Sequence, residues 1–163
     1  MELWDAYDRD FRRIEGRTLV RGERIPDGLY HLVSDVIVRH VDGDYLLMRR
    51  DARKHYGGLW EATAGGSALR GETALDCALR ELCEETGVAA EALTEVGHVV
   101  SDANRTLYVE YLCVTDCDKE RITLQEGETD AYRWVGREEL LNMKSDELVT
   151  ERMQAFVEEL RTN

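Results

Sequence analysis

The chain is predicted to fold as an α/β protein in which a mixed β-sheet lies between helices. Three observations carry that expectation. Runs of β-branched and aromatic residues of strand length recur along the chain, and two stretches, one central and one near the end, repeat apolar residues at helical spacing. Strands and helices also interleave, which favours a sheet covered by helices over separate all-β and all-α layers.

The elements follow in order. The N-terminal stretch reads as a strand pair, followed by a turn from Ile25 to Gly28 that contains the single proline, Pro26. His31 to His40 is a β-branched strand, Val41 to Asp44 a turn, and Tyr45 to Arg50 a second strand; together they predict a hairpin. A loop from Asp51 to Gly58 and a short segment from Trp60 to Ala64, with Trp60 packing in the core, precede the central helix. That helix spans about Thr73 to Thr86 and stops at Gly87, a residue suited to the left-handed end of a helix.

Strands resume at Val99 to Ser101 and at Leu107 to Val114, where Leu107, Val109, Tyr111 and Cys113 alternate onto one face. Arg121 to Gln125 and Tyr132 to Val135 are expected as two more short strands, joined by an acidic loop from Glu126 to Asp130. A last helix carries the stripe Val149, Met153, Phe156, Val157 and Leu160. No repeat, linker or low-complexity tract interrupts the 163 residues, so residues 1–163 are expected to form one domain.

Composition narrows the function classes. A net charge of −13, from 34 acidic and 21 basic residues, repels a phosphate backbone and argues against nucleic-acid binding. An anionic small molecule stays open, because a divalent cation reverses the local field. No apolar run approaches the ~20 residues of a membrane span and no basic-then-apolar leader begins the chain, so no membrane association and a cytoplasmic location are expected. The four cysteines, Cys77, Cys83, Cys113 and Cys117, form no CxxC pair and no zinc-ligand spacing, and read as reduced, buried thiols.

The central helix holds the chemistry. At about 100° per residue, Glu81, Glu84 and Glu85 fall within an arc of about 100°, and Leu75, Leu79 and Leu82 within about 60°, the two centres roughly 130° apart. The spacing therefore predicts a helix that packs through its leucines and turns its carboxylates to a cavity. Like charges at this spacing cost about 0.2–0.5 kcal/mol per solvated pair, and more when dry, so a cation is expected among them.

The helix sits inside a longer pattern. Gly66, five residues, Glu72, seven residues, Arg80, Glu81, Leu82, one residue, Glu84, Glu85, one residue, Gly87 and Val88 make a 23-residue motif. It resembles the Nudix box, the signature of the Nudix hydrolases, at every defined position. Seven fixed identities at roughly one in fifteen each give a chance match on the order of 10⁻⁸ per start position.

The resemblance implies a Nudix α/β/α sandwich that binds Mg²⁺ or Mn²⁺ and hydrolyses the diphosphate linkage of a nucleoside diphosphate joined to another group. Hard divalent cations take oxygen ligands, which agrees with a cluster of carboxylates. By the same resemblance Glu84 and Glu85 are paired metal ligands, and Glu81 is either a metal ligand or the base that takes the water's proton. Arg80 and Glu72 form an ion pair supporting the site, Gly66 permits a turn at the box entrance, Gly87 closes it, and the Gly65 carbonyl is a further metal ligand.

Outside the box, Glu128 in "GETDAYRWV" matches the loop glutamate that Nudix enzymes often add, with Glu126 as its neighbour and competitor. Arg50 and Lys54 are candidate holders of phosphate oxygens, Arg50 as a fork and Lys54 as a point charge. His55 and Tyr56 lie in the same loop and are read as surface residues.

"WDAYDRDFRRIEGRTLVRG", "GLYHLVSDVIV" and "LLMRRDARKHYGGLW" are similar to the Nudix branch that includes isopentenyl-diphosphate isomerase, which makes an isomerase the rival reading. Family isomerases use a cysteine shortly after the tryptophan, where "LWEATAGGS" has Ala64 and Gly65. A nucleotide-binding Nudix domain without catalysis is a third reading, although every box glutamate is present. The expected partner is a small-molecule diphosphate, and the N-terminal strand pair leaves a homodimer open.

Overall fold

Alternation along the central strand divides the hydrophobic core in two. In chain order the elements are β1 (Leu3–Tyr7), β2 (Arg13–Val20), β3 (His31–His40), β4 (Tyr45–Arg50), β5 (Trp60–Glu61), β6 (Thr63–Ser67), α1 (Ala74–Thr86), β7 (Thr94–Ser101), β8 (Thr106–Thr115), β9 (Thr129–Val135), α2 (Arg137–Asn142) and α3 (Arg152–Glu159). Leu32, Val36 and Val38 of β3 join Leu82 and Ala78 of α1 on one face, while Ile37 joins Leu140 of α2 and Met153 and Val157 of α3 on the other. The computed structural model describes residues 1–149 and 152–160.

The sheet is mixed, as expected. β3 pairs parallel with β8 and antiparallel with β6, β8 pairs antiparallel with β7, and β4 pairs antiparallel with β9 and β5. A separate two-stranded sheet, β1 with β2, lies over the first core face through Tyr7 and over its own small cluster of Trp4, Ala6 and Leu19.

Several expectations need correction. The β3–β4 hairpin pairs at Arg39 and Tyr45, after which β4 turns to β9 and the edge of β3 is taken by β6. Residues 121–125 form no strand: Ile122 and Leu124 pack against the core, but Thr123 N–H donates to the Thr86 carbonyl at 2.9 Å, so the segment closes the end of α1. β7 starts at Thr94 and β9 at Thr129, which places Thr129 and Asp130 in a strand and shortens the acidic loop. Helix α2 is not among the expected elements; Gly136 in extended conformation starts it.

Helix α1 has Thr73 as N-cap in a capping box with Asp76 and ends at Gly87, whose φ of 76° is left-handed. Its buried face is Cys77, Ala78, Leu82 and Thr86, however, and Leu75 is 39% exposed. Of the expected stripe Leu82 is fully buried, Leu79 is half-buried and Leu75 faces out, so the packing face is shifted toward Cys77 and Ala78. Small side chains bring the helix close to the sheet, and Ser34 Oγ donates to the Ala74 carbonyl at 2.7 Å.

Met153 and Val157 of the last stripe are fully buried in α3, and Phe156 and Leu160 pack beside them. Val149 lies ahead of the helix, its N–H bonded to the Trp60 carbonyl at 2.9 Å. Trp60 itself is half-buried, with the Arg49 and Arg133 guanidiniums 5.8 Å and 4.9 Å from its ring centre. Cys77 and Cys113 are buried free thiols as expected, whereas Cys83 is exposed on the outer side of α1 and Cys117 is half-buried.

Candidate active site

Strand β6 delivers Gly65 and Gly66 to the flank of α1. Cys77 Sγ donates to the Gly66 carbonyl at 3.3 Å, and a Cβ built on Gly66 would fall 2.4 Å from Oε1 of Glu81. Gly66 thus serves by leaving room for a carboxylate, and not by making the turn the sequence suggested. The turn belongs to Gly71, with φ of 90°.

The loop between β6 and α1 is fixed by Arg80. Its Nε and Nη2 donate to the two oxygens of Glu72 at 2.7 Å and 2.9 Å, and Nη2 also reaches the Ser67 carbonyl at 3.2 Å. Leu69 N–H donates to Glu72 at 2.9 Å, so both ends of the loop meet on one ion pair. The bonds to Arg80 hold the Glu72 carboxyl below the usual range, and bonds to Glu72 and Glu81 raise the already high pKa of Arg80.

A cleft of about 340 Å³ opens over this frame, with Gly65, Gly66, Arg80, Glu81, Glu84, Glu85, Lys54 and Glu128 in its walls. The structure therefore brings together the box carboxylates, the loop glutamate and one of the two candidate phosphate-holding cations. Lys54 ion-pairs with Glu128 across the cleft. Glu72 lies behind Arg80, and Gly87 lies at the far end of α1 against Thr123.

Arg50 is not brought to the cleft wall. Its Nη1 donates to Glu61 at 3.2 Å and its Nε to the His55 carbonyl at 2.9 Å. Glu126 is also absent from the wall, where Gln125 and Glu128 stand instead. The His55 and Tyr56 rings meet at a tilt of 52°, centres 4.0 Å apart, and Tyr56 is exposed. Two residues that sequence reasoning missed, Glu2 and Arg21, reach the cleft from the N-terminal hairpin. Only the register of that hairpin, Leu3 opposite Val20, sets them side by side.

The electrostatics are dominated by crowded acids. Burial raises the Glu81 carboxyl despite a 2.7 Å bond from Arg80 Nη1. Glu84 shares the same nitrogen at 3.3 Å. Glu85 is pushed well above the carboxylate range, first by burial and then by the charges of Glu81, Glu61 and Glu128, while a backbone bond from Gly65 opposes the shift only weakly. Glu61, itself raised by burial, joins this crowd from β5.

Among the described residues, no three His, Cys, Asp or Glu groups are gathered at ligand distance, and Arg80 is the cation that Glu81 and Glu84 face. The donor set nevertheless suits a hard divalent ion. It is all oxygen, and Glu85 is crowded by the carboxylates of Glu81, Glu61 and Glu128. No cysteine lines the cleft among the described residues, as an isomerase would require.

Comparison with known proteins gives the family of the chain. The NUDIX domain model matches residues 29–159. An uncharacterized Nudix hydrolase of Listeria monocytogenes is 33% identical over 147 residues, covering 89% of this chain and 86% of the relative. Among solved structures, DR0079 from Deinococcus radiodurans superposes with a TM-score of 0.73 at 19% identity, over 96% of this chain and 98% of that one. The NUDIX domain of Shewanella oneidensis NrtR, solved with ADP ribose, superposes with a TM-score of 0.61 at 18% identity, over 80% and 87%.

Proposed function

We propose, from the premise that the chain belongs to the Nudix hydrolase family, that its cleft holds Mg²⁺ or Mn²⁺ and hydrolyses the diphosphate linkage of a nucleoside diphosphate joined to another group. The observation that carries this reading is the gathering of Glu81, Glu84, Glu85 and Glu128 on the wall of one cleft, with Glu85 raised by burial and by the charges of Glu81, Glu61 and Glu128. Carboxylates crowded in this way are favoured as anions when a divalent cation joins them.

In this reading Glu84 and Glu85 would hold the metal, the Gly65 carbonyl would be a further oxygen, and Glu81 would be either a ligand or the base. When bound, the ion neutralises the diphosphate and lowers the pKa of an attending water. Glu81 or Glu128 takes the proton from that water as it attacks phosphorus, the bridging P–O bond breaks, and two phosphorylated products leave. Lys54, paired with Glu128, supplies positive charge to phosphate oxygens. Arg80 and Glu72 keep the loop and helix in register beneath them.

The ADP ribose bound to the related NUDIX domain makes adenosine diphosphate esters the first substrates to try. Purified protein with Mg²⁺ or Mn²⁺ is assayed against ADP-sugars, dinucleotides, coenzyme A, nucleoside triphosphates and isopentenyl diphosphate. Phosphorylated products that disappear in Glu85→Gln support the reading. An allylic isomer of isopentenyl diphosphate, or wild-type hydrolysis by both Glu84→Gln and Glu85→Gln, would remove it.

A further inference from the structure

The cleft holds more acid than base: Glu2, Glu81, Glu84, Glu85 and Glu128 face Arg21, Lys54 and Arg80. A diphosphate adds negative charge, so the cation with donors to spare decides how the substrate is gripped. Arg80 is committed to Glu72, Glu81, Glu84 and the Ser67 carbonyl. Lys54 is paired with Glu128. Arg21 makes one side-chain hydrogen bond among the described residues, from Nη1 to Oε2 of Glu2 at 3.1 Å, and its side chain is 68% exposed.

The root of that side chain is fixed. Arg21 N–H donates to the Glu2 carbonyl at 3.0 Å, directly after the Leu3–Val20 pair of the hairpin. The hairpin is in turn strapped to the loop before α1, because Arg70 N–H donates to the Leu3 carbonyl at 2.8 Å and Gly71 N–H to Asp5 Oδ2 at 2.8 Å. Trp4 stacks on His31 with ring centres 4.4 Å apart, which ties the hairpin to the central strand. An anchored backbone thus presents an open planar fork to the cleft, the geometry that suits phosphoryl oxygens.

We propose that Arg21 is a specificity-determining residue that takes the phosphoryl oxygens of a diphosphate-bearing ligand from the hairpin side of the cleft, with Glu2 as its counter-ion until the ligand arrives. The inference rests on the hydrolase reading above and deepens it. It gives Arg21 a fork role beside the one expected of Arg50, whose Nη1 is bonded to Glu61. Arg21 also precedes the 29–159 stretch matched by the domain model, so this contact is added by the hairpin and is not part of the box.

The test uses the full chain with Mg²⁺ and the variants Arg21→Ala and Arg21→Lys. Binding is measured calorimetrically with imidodiphosphate, and kinetics with whichever diphosphate compound the wild type cleaves. Arg21→Ala is expected to weaken imidodiphosphate binding and raise KM by about tenfold, the worth of one charge-assisted bond, with kcat within about twofold and the melting temperature unchanged. Arg21→Lys should recover part of the loss. Unchanged Kd and KM in Arg21→Ala would overturn the proposal, as would a loss confined to kcat. A wild type that cleaves no diphosphate sinks the hydrolase reading, while the imidodiphosphate titration still decides for or against Arg21.

Discussion

Glu81 occupies the space that a side chain on Gly66 would need, its Oε1 lying 2.4 Å from the Cβ position. The atom in the way is the tip of a flexible side chain, so Gly66→Ala should fold and simply displace the carboxylate. We expect kcat to fall by about tenfold or more, a displacement cost typical of misplaced catalytic groups, with the melting temperature within a few degrees of wild type. Gly65→Ala should behave in the opposite way. There the Cβ would meet the Ser34 backbone carbonyl at 2.3 Å, and strand β3 cannot yield, so a loss of about 1–3 kcal/mol is expected in urea unfolding. Equal stability of the two variants would contradict this division.

How far the sequence revealed the site follows from the same pair. Glu81, Glu84 and Glu85 lie within one helix, so local spacing alone put them on a common arc, and they line one cleft. The face on which α1 packs was misjudged because Leu75 and Leu79 are the larger apolar residues. The structure buries Cys77 and Ala78 beside Leu82, and these small side chains let the helix lie close to the sheet. Glu2 and Arg21 were invisible for another reason: their neighbours in space come from hairpin register and from the strap to Arg70, neither of which leaves a local pattern. Residues 121–125 alternate like a strand, yet their backbone serves the end of a helix.

Arg80 meets Glu72 through two parallel bonds, at 2.7 Å and 2.9 Å, from a side chain only 24% exposed. Lysine has charge but no fork. Arg80→Lys should therefore lose one bond of the pair together with the contact to the Ser67 carbonyl, a cost of about 1–3 kcal/mol in denaturant unfolding. Because the same guanidinium faces Glu81 and Glu84, activity should fall with stability, and added Mg²⁺ should not restore it.

Lys54 and Glu128 form an ion pair across the cleft, which makes their functions separable by kinetics. Lys54→Ala should raise KM by about three- to tenfold with kcat little changed, as loss of a phosphate-binding charge does. Glu128→Gln should instead lower kcat by about tenfold or more with KM little changed if Glu128 is the base. A wild-type kcat in Glu128→Gln would leave Glu81 as the base.

Asp35 and Glu110 lie opposite each other on β3 and β8 and face one guanidinium, that of Arg152, at 2.7 Å and 3.1 Å. Two carboxyls against one positive charge leave one proton to be kept, and Glu110, fully buried with Oε2 unpartnered among the described residues, is where it stays. Burial and the Asp35 charge push Glu110 up to about 8, and burial lifts Asp35 to about 6. A carboxyl whose folded pKa is raised binds more protons folded than unfolded, so its contribution is complete below about pH 4 and is lost as pH rises toward 8. The fold should accordingly weaken between pH 5 and 8. Glu110→Gln keeps an oxygen for Arg152 Nε but cannot ionise, and should remove about 1–2 kcal/mol of that decline, or about 2–8 °C in melting temperature. Chemical unfolding of both proteins at pH 5, 6.5 and 8 checks it; parallel stability curves would mean that Glu110 does not hold the proton.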